Sequence, residues 1–277
     1  MLTVERVGSQ EWQFQVPARG RQATDQFYRG CELLEEGRVP EALTIFHGLL
    51  QRHPEHLDVR NTLAQYYVER GETDRAMALL EEAVALGRQA FPPAFRAGHL
   101  LEWGWLENRP FLRCLCSLGM LYERAGRLES ALEIYRQLLS LNPNDNQGVR
   151  ALAVTVLLAL KRPEEVIKVC AAYPEDMMPE IAYGQVLALF QLGKDTDAAQ
   201  TLQSAVRWLP LVAKELLKPR HRRPKSAIPG FLTMGGADEA YDYWQHHGKF
   251  WQETPGVLSW LAEIVHAPRR RQRRTKG

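Results

Sequence analysis

The sequence has few cysteines and no long apolar run. No stretch approaches the roughly 18 consecutive apolar residues of a membrane-spanning helix, and the N-terminal residues MLTVERVGSQEWQ show no basic segment followed by an apolar block. We therefore expect a cytoplasmic protein with no export signal and no membrane contact. Cys114 and Cys116 are two apart on a predicted helix, while Cys31 and Cys170 are distant, so no disulfide or zinc framework is indicated. We interpret all 4 cysteines as single buried thiols.

The fingerprints of common enzyme classes are also missing. The sequence contains no G-x-S-x-G, no H-E-x-x-H, no Walker loop and no dinucleotide-binding glycine motif. His246 and His247 are adjacent, so on a helix they diverge by about 100° and do not suit one metal ion. Asp145, between Asn144 and Asn146, lies in a calcium-loop-like fragment without the required Gly and distal Glu, and we interpret these residues as turn and helix-cap groups. We expect no enzyme, no cofactor and no metal centre.

What the sequence does contain is a repeat. Apolar residues at helical spacing lie on both sides of Gly126, and Pro143 forbids continuation of the second run, which predicts a helical hairpin. Gly119 and Ala131 are small positions where the two helices approach closely, beside the bulky Tyr135. The pair formed by Gly126 and Ala131 recurs as Gly37 with Ala42, Gly71 with Ala76, and Gly193 with Ala198.

A helix-turn-helix period of 34 residues with small, bulky and Pro positions is similar to the tetratricopeptide (TPR) repeat. The resemblance implies an all-α fold, a right-handed superhelical solenoid of about five TPR hairpins. The fourth unit is irregular, because Leu160 stands at the turn position and Pro163 lies in the turn. The segments WGWLENRPF, LNPNDNQG and ETPGVLSWL also resemble a bacterial TPR subgroup grouped with the suppressor-of-tumorigenicity-seven family. The predicted units span 23–56, 57–88, 112–145, 146–178 and 179–212.

The remaining segments surround these units. Residues 1–22 form a predicted N-terminal arm, in which Trp12 and Phe14 alternate with Gln in a short strand pattern and cover the exposed end of the first repeat. Capping helices are predicted over 237–267, one beginning near Asp238 and one at Thr254 and Pro255. The other segments are the aromatic insertion 89–111, the basic Pro-rich connector 213–236 and a disordered basic tail 268–277.

The aromatic insertion breaks the repeat period. It carries two prolines and several rings, and the sequence leaves two interpretations open. Either these rings pack against the repeats, the interpretation we favour, or Trp103, Trp105 and Arg109 present a recognition surface.

Charge is unevenly distributed. Residues 214–225 carry six Lys or Arg and one acid, and residues 268–277 carry six and no acid. The rest of the chain has 23 basic and 32 acidic residues. An acidic solenoid with two basic segments is therefore indicated.

The absence of catalytic motifs together with the repeat favours a non-enzymatic scaffold or adaptor that binds a protein or peptide through its concave groove and the aromatic insertion. Of the positions that form a carboxylate clamp in chaperone-binding TPR proteins, only Asn61 suits the clamp, so that ligand is not expected. The alternative is nucleic-acid binding through the connector and tail. Candidate groove and insertion residues are Tyr28, Gln65, Trp103, Trp105, Arg109, Arg113, Arg150 and Tyr183. Candidate nucleic-acid residues are Arg220, Arg222, Arg223, Arg269, Arg270, Arg271, Arg273 and Arg274.

Overall fold

The computed structural model describes residues 2–15, 21–225, 227–228 and 230–266. Helices dominate the described residues, and the predicted all-α repeat fold is confirmed. Two compact units are present, Met1–Leu152 (unit 1) and Ala153–Gly277 (unit 2). The elements in chain order are β1 (Thr3–Arg6), β2 (Trp12–Gln15), α1 (Arg21–Glu35), α2 (Val39–Arg52), α3 (Leu57–Glu69), α4 (Thr73–Gln89), a 3₁₀ turn (Leu106–Asn108), α5 (Arg109–Arg124), α6 (Leu128–Leu141), α7 (Val149–Ala159), α8 (Pro163–Ala172), α9 (Pro179–Gln191), α10 (Asp195–Trp208), α11 (Pro210–Leu216), α12 (Ala237–Gln252) and α13 (Val257–His266).

The hairpin turns share one chemistry. Gly37, Gly71, Gly126 and Gly193 have φ values of 75°, 75°, 73° and 68°, the left-handed region that glycine enters without a Cβ clash. In each turn the next residue's N–H bonds back over the glycine, as Arg127 N does to Tyr122 O at 2.8 Å. The turns therefore end the first helix and aim the second helix back along it.

The expected close approach between paired helices is confirmed. A Cβ built on Gly119 would lie 2.5 Å from Tyr135 Cε1, and one built on Gly30 would lie 2.5 Å from Phe46 Cε1. Both rings are completely buried. Each aromatic ring therefore fills the space that a missing side chain leaves on the facing helix.

The fourth hairpin corrects one sequence interpretation. Lys161, not Leu160, takes the left-handed turn conformation, with φ 57°. Its neighbour Arg162 donates its N–H to Leu157 O at 3.0 Å, which repeats the bonding of the glycine turns. Pro163 is the first residue of α8 instead of a turn residue, because proline suits the first helical turn.

The N-terminal segment forms an antiparallel hairpin in which Thr3 pairs with Gln15 and Arg6 with Trp12. Trp12 and Phe14 are buried. Their ring partners are Phe95, His99, Phe91 and Phe111. The expectation that they cover the end of the first repeat is therefore wrong, because both rings pack against the rings of the aromatic insertion.

Unit 2 contains a helix that the sequence analysis missed. Pro210 opens α11, which begins within the predicted fifth unit and extends over the first residues assigned to the basic connector. The helices α12 and α13 begin close to the expected capping positions. None of the described helices is long and apolar enough to cross a bilayer. Residues 268–277 lie outside the described part of the chain.

Candidate functional site

The aromatic insertion is joined to the N-terminal hairpin by one buried amide. Asn108 has no exposed surface. Its Oδ1 accepts the N–H of Phe14 at 2.9 Å, and its Nδ2 donates to the carbonyls of Trp12 and Glu102, each at 3.1 Å. In a dry interior these backbone groups have few other hydrogen-bond partners. The Asn108 amide therefore holds the backbone at Trp12, Phe14 and Glu102 together. The sequence analysis missed Asn108, for which the only signal was its place just before Pro110 at a helix start.

The rings of the insertion form a cluster with the hairpin. Phe91 stacks on Phe95 with centroids 4.5 Å apart, and Phe111 meets Phe14 at 5.2 Å. Phe91 also meets Phe111 edge-on at 5.6 Å. Phe111 is completely buried, while Phe91 and Phe95 are partly buried. Most rings of the insertion are therefore packed and do not form a recognition surface, and the N-terminal β-hairpin covers them.

The insertion is also bound to the third TPR hairpin. Leu101 N donates to Leu141 O at 2.8 Å, at the end of α6, and Trp103 N donates to Asn142 Oδ1 at 3.1 Å. On its other side the insertion is bound to the N-terminal β-hairpin, since Trp12 N donates to Leu100 O at 2.9 Å. These bonds place the insertion between two elements of unit 1.

The candidate recognition residues of the insertion differ in accessibility. Arg109 Nε donates to Trp103 O at 3.0 Å, and the guanidinium carbon lies 5.2 Å from the centre of the Trp103 ring. The Arg109 side chain therefore contacts both the backbone carbonyl and the ring of Trp103. Trp105 is 38% exposed and Leu106 63% exposed, so this short turn presents apolar surface to solvent.

A second set of candidates lies along the first helices of the hairpins. Tyr28 is 60% exposed and Gln65 is exposed. Met120, which is not among the sequence candidates, is 37% exposed on α5. Between them Arg113 donates to Asp58 Oδ1 at 2.8 Å, which joins α5 to α3. Residues three, four or seven apart on a helix share a face. We call the face formed by Tyr28, Cys31, Asp58, Gln65, Arg113 and Met120 the first-helix face.

Arg150 has a structural role. Asp145, which is buried, accepts the N–H groups of Val149 at 2.8 Å and Arg150 at 2.9 Å. The Arg150 guanidinium pairs with the same carboxylate at 2.9 Å. The interpretation of Asp145 as a helix-cap group is confirmed, and Arg150 balances its charge.

Tyr183 is not a groove residue. It is completely buried, its hydroxyl donates to Leu209 O at 2.8 Å, and its ring meets Tyr243 at 5.9 Å and Trp251 at 6.3 Å. Burial raises its pKa far above the usual range. The groove assignment is therefore wrong, because the later helix α12 covers this face of α9.

The arrangement most like a reactive pair is His247 with Thr155. The ring Nε2 lies 2.8 Å from Thr155 Oγ1 and Nδ1 lies 3.2 Å from Tyr243 O. His247 is 4% exposed, and burial lowers its pKa to about 4. A neutral imidazole in a closed interior has no access to a substrate, and its bond to Thr155 joins α12 to α7.

The thiols are poorly suited to nucleophilic chemistry. Burial raises the pKa of Cys170 to about 12 and that of Cys116 to about 11, so both are protonated at neutral pH. Cys114 and Cys170 are buried, whereas Cys31 and Cys116 are partly exposed, so the interpretation of four buried thiols is wrong for those two. Within the described ranges no three His, Cys, Asp or Glu side chains come together as metal ligands.

The basic connector exposes its charges. Arg220, Arg222 and Arg223 are exposed. The acid of this segment, Glu215, is buried and already binds Lys218 Nζ and His221 Nδ1. Five of the candidate nucleic-acid residues lie outside the described residues, namely Arg269, Arg270, Arg271, Arg273 and Arg274.

Comparison with known proteins places these features in a family. The family model described as "Transcriptional repressor TCF25" matches residues 12–276. The chain belongs to the TCF25 family. The human "Ribosome quality control complex subunit TCF25" is 24% identical over 275 residues, covering 89% of this chain and 40% of that protein. The chain thus spans about two fifths of the length of the curated relatives that match over most of it.

Further comparisons concern a fungal relative, the fold of the chain and its expected source. A "Probable transcription factor claV" from Ampulloclitocybe clavipes is 34% identical over 120 residues, 42% of this chain and 15% of that protein. A crystal structure of MamA protein, with a TM-score of 0.52 and 14% identity, covers 74% of this chain and 100% of its own. This likeness supports the TPR-type fold. The expected bacterial assignment is wrong, because the family matches over most of the chain are the human and mouse proteins.

Proposed function

We propose that this chain is a non-enzymatic adaptor domain that binds a protein or peptide through the first-helix face of unit 1. The exposed turn at Trp105 in the aromatic insertion adds to this binding surface. The observation that carries the proposal is the run of accessible side chains on successive first helices, Tyr28 on α1, Gln65 on α3 and Met120 on α5. Stacked hairpins bind partners through surfaces that several repeats share.

The chemistry of this face suits an extended peptide. Tyr28 and Met120 offer aromatic and flexible apolar contacts, and Gln65 offers an amide that both donates and accepts. The ion pair between Asp58 and Arg113 is partly exposed, with side-chain exposures of 20% and 42%, so either charge is available to a partner. Of the insertion candidates, Trp103 and Arg109 bind each other, and Trp105 remains accessible.

The names of the relatives suggest where such an adaptor acts. The human and mouse proteins are named as subunits of a ribosome quality control complex. We extend that role to this chain and propose that its partner is a protein component of such an assembly. Nucleic-acid binding through the connector is less favoured. Contacts to phosphate need only the arginines, and they would leave the adjoining exposed apolar side chains without a role.

Position-specific photo-crosslinking tests the proposal. A crosslinking amino acid is placed at Tyr28, Gln65 or Met120, and as matched controls at Thr44 on α2 and Glu133 on α6, both exposed on second helices. In lysate of the source cells we expect one set of protein adducts at the first three positions that the controls lack. Identical adducts at all five positions, or adducts at the controls alone, would refute the first-helix face. Identification of the adducts by mass spectrometry then tests the link to ribosome quality control.

A further inference from the structure

The basic connector of unit 2 is held at both ends. Next to α11, the buried Glu215 carboxylate binds Lys218 and His221, and the His221 ring stacks on Trp244 of α12 with centroids 3.7 Å apart. Next to α12, the N–H of Thr233 donates to Asp238 Oδ2 at 2.8 Å. The connector is therefore anchored to α12 at both of its ends.

Its charges are available to a partner. Arg220, Arg222, Arg223 and Lys225 are exposed, and in the described part of the chain no carboxylate pairs with them. Glu215 does not neutralise them, because it is buried and already bound. Four cations within six residues attract acidic groups.

Apolar side chains follow these cations directly. Ile228 is 63% exposed, Phe231 73%, Leu232 57% and Met234 87%. Other large exposed apolar side chains among the described residues occur singly or as the pair Trp105 and Leu106. Four exposed apolar side chains lie within seven residues of sequence, and such a group is a usual mark of an interaction site in a folded protein.

A cavity lies between this surface and α12. Its volume is about 520 Å³, within the range of binding clefts. Two carboxylates line its wall, that of Asp238, which accepts the N–H of Thr233 at 2.8 Å, and that of Asp242, so the cavity itself suits an apolar side chain and the acidic residues of a ligand belong outside it, beside Arg223. The side chains that would contact an occupant are Arg223, Ile228, Phe231, Leu232, Tyr241 and Gln245.

We propose that this cavity and its basic rim, the connector groove, bind an acidic segment of a partner protein that carries a bulky apolar residue. The apolar residue occupies the cavity between Phe231 and Tyr241, and acidic residues beside it pair with Arg223 and its neighbours. A cavity of this volume suits a side chain better than the flat surface of a bilayer. This groove lies in unit 2 and is independent of the first-helix face.

Selection from a displayed library of 12-residue peptides tests the connector groove. Asp, Glu and Ser fill the outer positions and Leu, Ile, Phe and Trp fill two central positions, while a matched library has Lys and Arg in place of the acids. The full chain should enrich acidic peptides with micromolar Kd values, which correspond to a binding free energy of about −8 kcal/mol. Either Arg223→Glu or Phe231→Ser should raise the Kd at least tenfold, and higher salt should raise it further.

Two variants of α10 serve as matched controls. Arg207→Glu reverses an exposed charge and Trp208→Ser removes a side chain that is 64% exposed, and neither residue lines the groove. Both should leave the Kd within twofold. The proposal fails if no acidic sequence is enriched, or if enriched peptides bind the groove variants as tightly as the original chain. It also fails if phosphatidylserine vesicles or single-stranded RNA bind through Arg223 and Phe231 while acidic peptides do not.

Discussion

The aromatic insertion and the basic connector both interrupt the helical hairpins, yet their apolar side chains have opposite environments. In the insertion Phe111 is completely buried and Phe91 stacks on Phe95. In the connector Phe231 is 73% exposed and Met234 87% exposed. The difference is that a distant strand, held by Asn108, covers the insertion, whereas the connector is fixed only at its ends. Aromatic content alone therefore does not distinguish a structural insertion from a binding surface.

Removal of the Asn108 amide is the strongest way to break this comparison. Asn108→Leu leaves three backbone groups without their partner, and we expect the free energy of unfolding to fall by about 3 to 5 kcal/mol. Denaturant titration measures it, with the exposed Asn144→Ala as the matched control, expected to change stability by less than about 0.5 kcal/mol. A loss below about 1 kcal/mol for Asn108→Leu would show that the insertion does not depend on this amide.

The pH dependence of the stability of unit 2 sharpens the comparison for the connector. The helix α12 carries Asp238 and Trp244, which bind the two ends of the connector, and also carries His247. The pKa of His247 is lowered from 6.5 to about 4 by burial, so the unfolded chain takes up a proton before the folded chain does. The stability that depends on neutral His247 is complete above pH 6.5 and is lost as pH falls toward 4, by about 3 kcal/mol. Denaturation midpoints at pH 7, 5.5 and 4.5 measure this loss.

Substitution of the two neighbouring histidines separates their contributions. The variant His247→Gln should unfold at a lower denaturant concentration at pH 7 and should lack most of the loss between pH 6.5 and 4. His246→Gln, at the adjacent exposed position, should keep that loss. If the two variants show the same pH profile, the dependence belongs to other groups.

Two glycines give a smaller but cleaner comparison within unit 1. A Cβ on Gly87 would lie 2.2 Å from Phe111 Cδ2, in the ring cluster of the insertion, whereas one on Gly48 would meet only the Arg52 guanidinium, at 3.6 Å. Gly87→Ala should therefore destabilise by about 2 kcal/mol. Gly48→Ala should stabilise by up to about 1 kcal/mol, because alanine favours helix. Thermal unfolding compares the two, and equal effects would mean that the ring moves aside without strain.

The smallest effect is expected in the connector. Phe231→Ser and Met234→Ser remove apolar surface that is already in water, so each should change the free energy of unfolding by less than about 0.5 kcal/mol. Denaturant titration checks this. A loss above about 2 kcal/mol for either variant would place that side chain in a packed interior and remove the contrast with the insertion.

The repeat was predictable because its signals are local. Gly126 ends a helix by its own conformational freedom, and Tyr135 fills space left by Gly119 in the same hairpin. The start of α12 near Asp238 follows from similar local chemistry. Fold class and hairpin turns could therefore be derived from short stretches of sequence.

The missed features depend on partners far away in sequence. Asn108 bonds to Phe14, 94 residues earlier, and no local pattern identifies that pairing. Tyr183 looked like a groove residue because its repeat position suggests one, but Tyr243 and Trp251 cover it. Lys161 adopts a conformation that favours glycine, which composition could not indicate. Of the candidate site residues, the exposure of Tyr28 and Trp105 agrees with a binding role, and their function stays a prediction.

The bond between Asn108 and Phe14 has a consequence for biosynthesis. Trp12 and Phe14 are synthesised before Asn108, the residue that docks them, which follows Phe14 by 94 residues. At about 5 to 20 residues per second, the nascent strand waits roughly 5 to 20 s before its partner is translated. During that interval its two rings are uncovered, and a chaperone that shields short apolar strands would act on this chain at that stage.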